Sequence, residues 1–202
     1  MPHHQPKKPK KNTNQIRIIG GTHRGRKLPF PDAQGLRPTP DRIRETLFNW
    51  LQGYIAGAHC VDLFAGSGLL GFEALSRGAA HALFVEYEST VAGMIRDNIA
   101  LLKATDIATV MQADAMQLIG QLEPASVDIV FLDPPYGKGL VAESVKKLHD
   151  SQCLKPGALL YLEQESSLPD PELPEEWQIL KRKQAGQVGY YLIQTVQDIT
   201  NE

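Results

Sequence analysis

The sequence predicts an α/β fold: a doubly wound, mostly parallel sheet that ends in an antiparallel hairpin, preceded by a small N-terminal β-hairpin and a helix. Three observations predict it. From residue 59 onward, short apolar runs of strand length alternate with segments of helical periodicity. A glycine-rich turn, VDLFAGSGLLG, lies between the first such run and the first such helix. Finally, WQILKRK and GYYLIQTV flank Gly186 and can pair as a terminal hairpin.

Apart from Met1 and Thr13, residues 1–15 are Lys, Pro, His, Asn and Gln with almost nothing to bury, so they are expected to be disordered. Two β-prone runs, 16–19 and 26–30, flank Gly20, Gly21 and Gly25 and predict a hairpin with a basic loop. LRPTPDRIRETLFNWLQGY predicts an extended entry into a helix, with Thr39 or Asp41 as cap and Pro40 near the first turn. Its apolar stripe is Ile43, Leu47, Trp50, Leu51 and Tyr54, with Arg42, Arg44 and Glu45 largely outside it. Strands are then expected at 59–64, 81–86, 108–113, 127–132 and 158–164. Helices are expected at 68–77, 89–103, after 113 to about 122, and at 139–150. The chain thus divides into a basic tail (1–15), a hairpin-and-helix appendage (16–56) and an α/β body (57–196).

The 202 residues suffice for a self-standing core. No stretch approaches the roughly 20 apolar residues of a membrane span, and the N-terminus lacks the apolar core of a secretory signal. Two cysteines, Cys60 and Cys153, are too few for a disulfide scaffold or a tetrahedral thiolate zinc site, and no His/Cys cluster has metal spacing. A reduced, cytoplasmic protein without a metal is expected. The net charge of −2 conceals an asymmetry: residues 1–45 hold eleven cations and three anions, a balance of +8. A basic front end on an acidic body suggests a polyanionic partner gripped through its phosphates; the plainer alternative is a solvated tail.

The glycines carry the first chemical signal. Gly66, Gly68 and Gly71 form G-x-G-x-x-G between a strand and a helix, so the backbone can turn tightly and approach a ligand. Glu86 ends the second strand of the body, placed to bond the two hydroxyls of a ribose, which points to a nucleoside cofactor. A nicotinamide dinucleotide fits less well, because Asp62 stands at the strand end where a pyrophosphate would need a helix N-terminus and no anion. The other signal is DPPY at 133–136, at the end of the fourth strand; alone it could be an ordinary turn.

D-x-F-x-G-x-G, the glutamate ending the second strand and DPPY together resemble class I S-adenosylmethionine-dependent methyltransferases. The resemblance implies that Asp62, Ala65, Gly66 and Gly68 surround the methionine part of S-adenosylmethionine. It further implies that Glu86 takes the ribose, Asp114 the adenine amine, and that Asp133 borders the cofactor. D/N-P-P-Y/F is the signature of methyl transfer to a planar nitrogen. An exocyclic purine amine is a poor nucleophile because its lone pair is delocalised into the ring. Asp133 and the carbonyl of Pro134 can accept its two N–H bonds and aim the lone pair at the methyl, and Tyr136 can stack on a flipped base.

A closer resemblance adds the substrate. IRIIGGTHRGRKLPFP, GLRPTPDRIRETLFNWL and KRKQAGQVGYYL, with the motifs above, resemble the bacterial guanine-N2 methyltransferases of 16S ribosomal RNA, over roughly residues 16–195. PTPD stands where PTTD is expected, a departure that leaves the helix entry plausible. The resemblance implies action on 16S rRNA in the small subunit or a late precursor, and a monomer is expected. The charge asymmetry points Arg17, Arg24, Arg26 and Lys27 toward RNA phosphates, against a solvated surface, and Arg37 is expected with them, against a capping role. DPPY does not separate guanine N2 from adenine N6. An adenine-N6 methyltransferase of DNA or RNA, or a non-catalytic ribosome-assembly factor on the same fold, are the alternatives.

Overall fold

The computed structural model describes residues 13–31 and 39–195. Arg37 and residues 1–12 of the basic tail lie outside them. Strands β1 (Thr13–Arg17) and β2 (Lys27–Pro31) pair antiparallel from Thr13↔Pro31 to Arg17↔Lys27. Thr13–Gln15, expected as disordered tail, therefore belong to the hairpin: pairing with β2 satisfies their backbone where composition offered no burial. Ile18 and Ile19 leave the strand to enter the glycine loop.

The helix α1 (Asp41–Trp50) follows, and then the body. Its elements are β3 (His59–Asp62), α2 (Leu69–Ser76), β4 (His81–Glu86), α3 (Ser89–Leu102), β5 (Ala108–Gln112), α4 (Ala115–Ile119), β6 (Val127–Leu132), α5 (Leu140–Ser151), β7 (Leu154–Glu165), β8 (Gln178–Ala185) and β9 (Val188–Gln194). The seven strands of the body are ordered β5-β4-β3-β6-β7-β9-β8. β5, β4, β3, β6 and β7 run parallel; β9 is antiparallel to both its neighbours, as the expected terminal hairpin requires. This is the doubly wound, mostly parallel sheet that the sequence predicts. β7 starts earlier than the apolar run that announced it, because Leu154 pairs with Val127 before an irregularity in the ladder.

Side chains alternate across the strands and build two faces. On one, Val61, Val130, Leu132, Leu160 and Leu162 pack with Leu118, Ile119, Val145 and Leu148 of α4 and α5. On the other, Cys60, Ile129, Phe131, Leu159 and Tyr161 pack with Ile43, Leu47 and Phe48 of α1 and with Leu51 at its C-terminal cap. Each such buried side chain contributes roughly 1.5–3 kcal/mol. Ile16, Ile18, Leu28 and Phe30 of the hairpin join Phe72, Phe84, Val91 and Ile95 in one cluster, so the hairpin shares the core of the body.

Neither expected residue caps α1. Pro40 occupies the cap position without a side-chain bond. The Thr39 hydroxyl donates instead to Glu163 (3.3 Å), and Asp41 pairs with Arg44 (2.6 Å). Arg44 is the larger correction. Expected outside the apolar stripe, it is 1% exposed and bonds three partners: Asp41, the Glu73 carboxylate (3.3 Å) and the Thr39 carbonyl (3.2 Å). Glu73, also fully buried, further accepts from Arg77 (2.8 Å) and from the Ile19 backbone N–H (2.9 Å). One buried carboxylate thus fastens α1, α2 and the hairpin together. Ser76 completes the attachment: its carbonyl accepts from the Thr22 N–H (2.7 Å) and its hydroxyl oxygen from the His23 N–H (2.9 Å).

Candidate active site

The register of the parallel strands sets the site. Asp62 ends β3, paired with Phe84 of β4 and Phe131 of β6; two residues further on, Glu86 ends β4 and Asp133 directly follows β6. Leu132 pairs with Leu162, so Asp133 and Glu163 follow the last paired residues of adjacent strands. Four carboxyl groups therefore line up at the carboxyl edge of the sheet, on the face covered by α1 and α2.

Asp62 is buried, and its Oδ2 accepts the Gly71 N–H (3.1 Å). Burial pushes its pKa up to about 7, opposed by the Gly71 bond and reinforced by the charge of Glu86. Both Glu86 oxygens hold backbone: Oε2 accepts from Gly66 (2.9 Å) and Oε1 from Glu88 (2.8 Å). Burial raises its pKa as well. Each oxygen keeps a lone pair for a further donor. Asp114 caps α4, its Oδ1 accepting from Met116 (2.7 Å) and Gln117 (3.2 Å). Asp133 is pushed well above the usual carboxylate range by burial first, then by the charges of Glu163 and Asp62.

Asp62, Ala65, Gly66, Glu86, Asp114 and Asp133 all line one cavity of about 440 Å³. A second, of about 410 Å³, is lined by Pro134, Tyr136, Glu163, Leu168 and Pro169, among others. Pro135 and Leu140 border both, so the two cavities meet at the DPPY loop. That loop is tied to the end of β7 by the Gly137 N–H donating to Glu165 (2.7 Å). A polar groove lined by Arg17, Lys27 and Asp41 reaches the first cavity at Thr39 and Leu69.

Residues 16–194 match the family described as conserved hypothetical protein 95. The ribosomal RNA small subunit methyltransferase D of Escherichia coli (strain K12) is 49% identical over 182 residues, 90% of this chain and 91% of that one. Its counterpart in Haemophilus influenzae is 45% identical, over 89% of this chain and 94% of that one. The solved structure of the Escherichia coli protein yhhF, 47% identical, superposes with a TM-score of 0.83 over 92% of this chain and 100% of that one. The chain belongs to the family of bacterial small-subunit ribosomal RNA methyltransferases.

In this methyltransferase one expected cofactor residue stands apart from the cavity. Gly68 is not among its lining residues; a Cβ there would lie 2.7 Å from the Phe72 ring, and its φ of +75° ends the turn before α2. Its glycine serves the turn and the packing, whereas Gly66, also at positive φ, faces the cavity. Of the expected RNA cations, Arg17 and Lys27 border the groove, while Arg24 and Arg26 sit exposed on the hairpin loop. Glu163 escaped the sequence reading. Its only signal was a glutamate two residues after Tyr161 in an apolar strand, and it acquires meaning only from the β6–β7 register.

The raised pKa of Asp62 has a measurable consequence. The group titrates near 7 when folded against about 3.9 when unfolded. Between those values the folded state holds the extra proton, so stability falls as pH rises from about 4 to about 7. Asp62→Asn removes that penalty and should stabilise the unliganded protein at pH 8 by at most about 4 kcal/mol, with little gain at pH 4. Thermal melts of both proteins across that range would show it; equal differences at every pH would contradict the buried charge.

Proposed function

We propose that this chain transfers a methyl group from S-adenosylmethionine to the exocyclic N2 of a guanine in 16S rRNA, within the small subunit or its late precursor. The observation that carries this reading is the meeting of an acidic cavity with the DPPY loop. No lysine or arginine lines the first cavity among the described residues. A dinucleotide's pyrophosphate would face Asp62, Glu86, Asp114 and Asp133 without a countercharge. A ligand with an amine, a ribose and a positive sulfonium suits the same residues. Asp62 and the Gly66 turn would hold the methionine part, Glu86 the ribose hydroxyls, and Asp114, through its Oδ2, the adenine amine.

When bound, S-adenosylmethionine supplies an electrophilic methyl on sulfur, released as the N2–C bond forms and the S–C electron pair returns to a neutral thioether. The chain's own residues prepare the nucleophile. A cation in the first cavity favours ionised Asp133, whose carboxylate and the Pro134 carbonyl accept the two amine hydrogens. That arrangement turns the nitrogen lone pair out of conjugation and toward the first cavity. Tyr136, 45% exposed on the second cavity, offers a face on which a flipped base stacks. The proton lost from N2 after transfer passes to Asp133 or to solvent.

Labelled-methyl transfer onto small subunits from a strain lacking this gene, followed by nucleoside analysis, tests the reading. Labelled N2-methylguanosine is expected. N6-methyladenosine would favour the adenine alternative, and no transfer would leave only an assembly role.

The basic groove carries a separate prediction. Arg17 and Lys27 are exposed, cross-strand partners beside the path into the site, and Arg17 is only loosely paired with Asp41 at 4.0 Å. Each phosphate contact steepens the salt dependence of RNA binding by about 0.7–0.9 log units. Replacing both by alanine should weaken subunit binding and flatten that slope by about 1.4–1.8 if each makes one contact. Affinity for S-adenosylmethionine should hardly change. Parental affinity and slope in a salt titration would remove the groove from the RNA path.

A further inference from the structure

The second cavity contains a carboxylate that methyl transfer itself does not use. Glu163 is 3% exposed, yet it lines the cavity beside Pro134 and Tyr136. Its Oε1 is fixed by two hydroxyl donors, Tyr161 (2.7 Å) and Thr39 (3.3 Å). Its Oε2 bonds nothing among the described residues. Burial raises the pKa of Glu163; the two hydroxyls donating to one oxygen oppose that rise and hold the carboxyl group rigid. The β6–β7 register places it beside Asp133, one strand spacing away, roughly 4.8 Å between backbones.

Asp133 lines the first cavity and Glu163 the second, so two neighbouring acceptors flank the place where the cavities meet and form a reading head for a particular edge. Guanine presents two adjacent donors there, N1–H and N2–H. Adenine presents an N6–H donor beside a bare N1 acceptor, whose lone pair would confront a carboxylate. Resting on the proposed guanine reading, we propose that Glu163 is the specificity-determining residue. Its Oε2 accepts the N1–H of the target guanine while Asp133 accepts from N2, and a base with an unprotonated N1 is refused. Thr39 is then a positioning residue. It sits at the end of the N-terminal appendage, its carbonyl held by Arg44 and its hydroxyl on Glu163, so the RNA-facing segment is joined by a chain of bonds to the group that reads the base.

The test replaces the target guanine, once located from the labelled fragment of the 16S rRNA, with 2-aminopurine in reconstituted small subunits. This base keeps the N2 amine but has a bare N1. The wild-type enzyme should methylate guanine about ten- to a hundredfold faster than 2-aminopurine, the value of one charge-assisted hydrogen bond. In Glu163→Gln the amide can turn its NH2 toward the base, which opposes N1–H and suits a bare N1. Methylation of guanine should fall, that of 2-aminopurine should hold or rise, and the ratio should approach or pass one. A purely bracing Glu163 would slow both substrates equally and leave the ratio unchanged, which would overturn the proposal. So would a wild-type enzyme indifferent to the two bases, a result that needs no variant. If wild-type enzyme methylates no guanine at N2, the functional reading itself fails, together with the inference that depends on it.

Discussion

Replacing Arg44 by methionine is expected to destabilise the protein by about 3 kcal/mol, although methionine fills much of the same space. The arginine is buried and its charge is met by Glu73, itself fully buried, and by Asp41 at the surface. Removing one member of a buried pair leaves the other desolvated, which typically costs 3–5 kcal/mol. The low end applies because Arg77 stays on Glu73 at 2.8 Å. The Glu73→Gln exchange should cost less in the Arg44→Met background than in the parent, with a coupling of about 1–3 kcal/mol. Urea denaturation of the four proteins gives the cycle. A loss below about 0.5 kcal/mol for Arg44→Met, the size of an ordinary surface change, would show that the network does not brace the fold. The effect should reach the site, because the Arg44 Nε also holds the Thr39 carbonyl.

Arg44 also shows where the sequence stopped being legible. The alternation of strands and helices was readable because each body segment buries one face or both, and burial imposes its period on the residues. The antiparallel edge followed from the terminal hairpin, whereas the spatial order of the strands was not read from the sequence. In α1 the same logic selected Trp50 and Tyr54, yet Tyr54 is 51% exposed and Trp50 lies half-buried at the rim, stacked on Tyr190 at 5.4 Å. The structure puts Arg44 and Phe48 inside instead. A charge is buried only with its partner, and Glu73 lies on another helix, 29 residues away. Periodicity within one helix carries no trace of it.

The cap of α1 failed for a related reason. A threonine at the cap accepts from first-turn N–H groups, but here Pro40 takes the cap position, and Thr39, one residue outside it, donates its hydroxyl to a buried glutamate 124 residues away. The acids of the first cavity were legible because each ends a strand or opens a helix next to a motif. Glu163 was not, because its position is defined by which residue of β6 stands beside it. Gly68 illustrates the opposite limit: its place in the motif was visible, but only the Phe72 ring shows what its missing Cβ leaves room for.

Asp133→Ala is expected to lower turnover by about 10²–10³-fold, the range for deleting one aligned group that stabilises developing charge. The loss should fall on kcat. Affinity for S-adenosylmethionine, read by calorimetry, should change less than tenfold, because Asp62, Glu86 and Asp114 remain around the same cavity. Asp133→Asn separates alignment from charge. Its amide oxygen can still accept one amine hydrogen, so it should recover a substantial part of the alanine loss. The pH dependence supplies the other readout. In the parent, burial and the charges of Glu163 and Asp62 raise the Asp133 pKa. Only the ionised form accepts both as a strong acceptor and as a proton sink, so kcat/KM should climb as pH rises through the titration of the Asp133–Glu163 pair. Asparagine cannot titrate, and that limb should flatten in Asp133→Asn. Single-turnover rates from pH 5 to 9 would decide it: an alanine variant as fast as the parent, or an asparagine variant with an unchanged limb, would take Asp133 out of the chemistry.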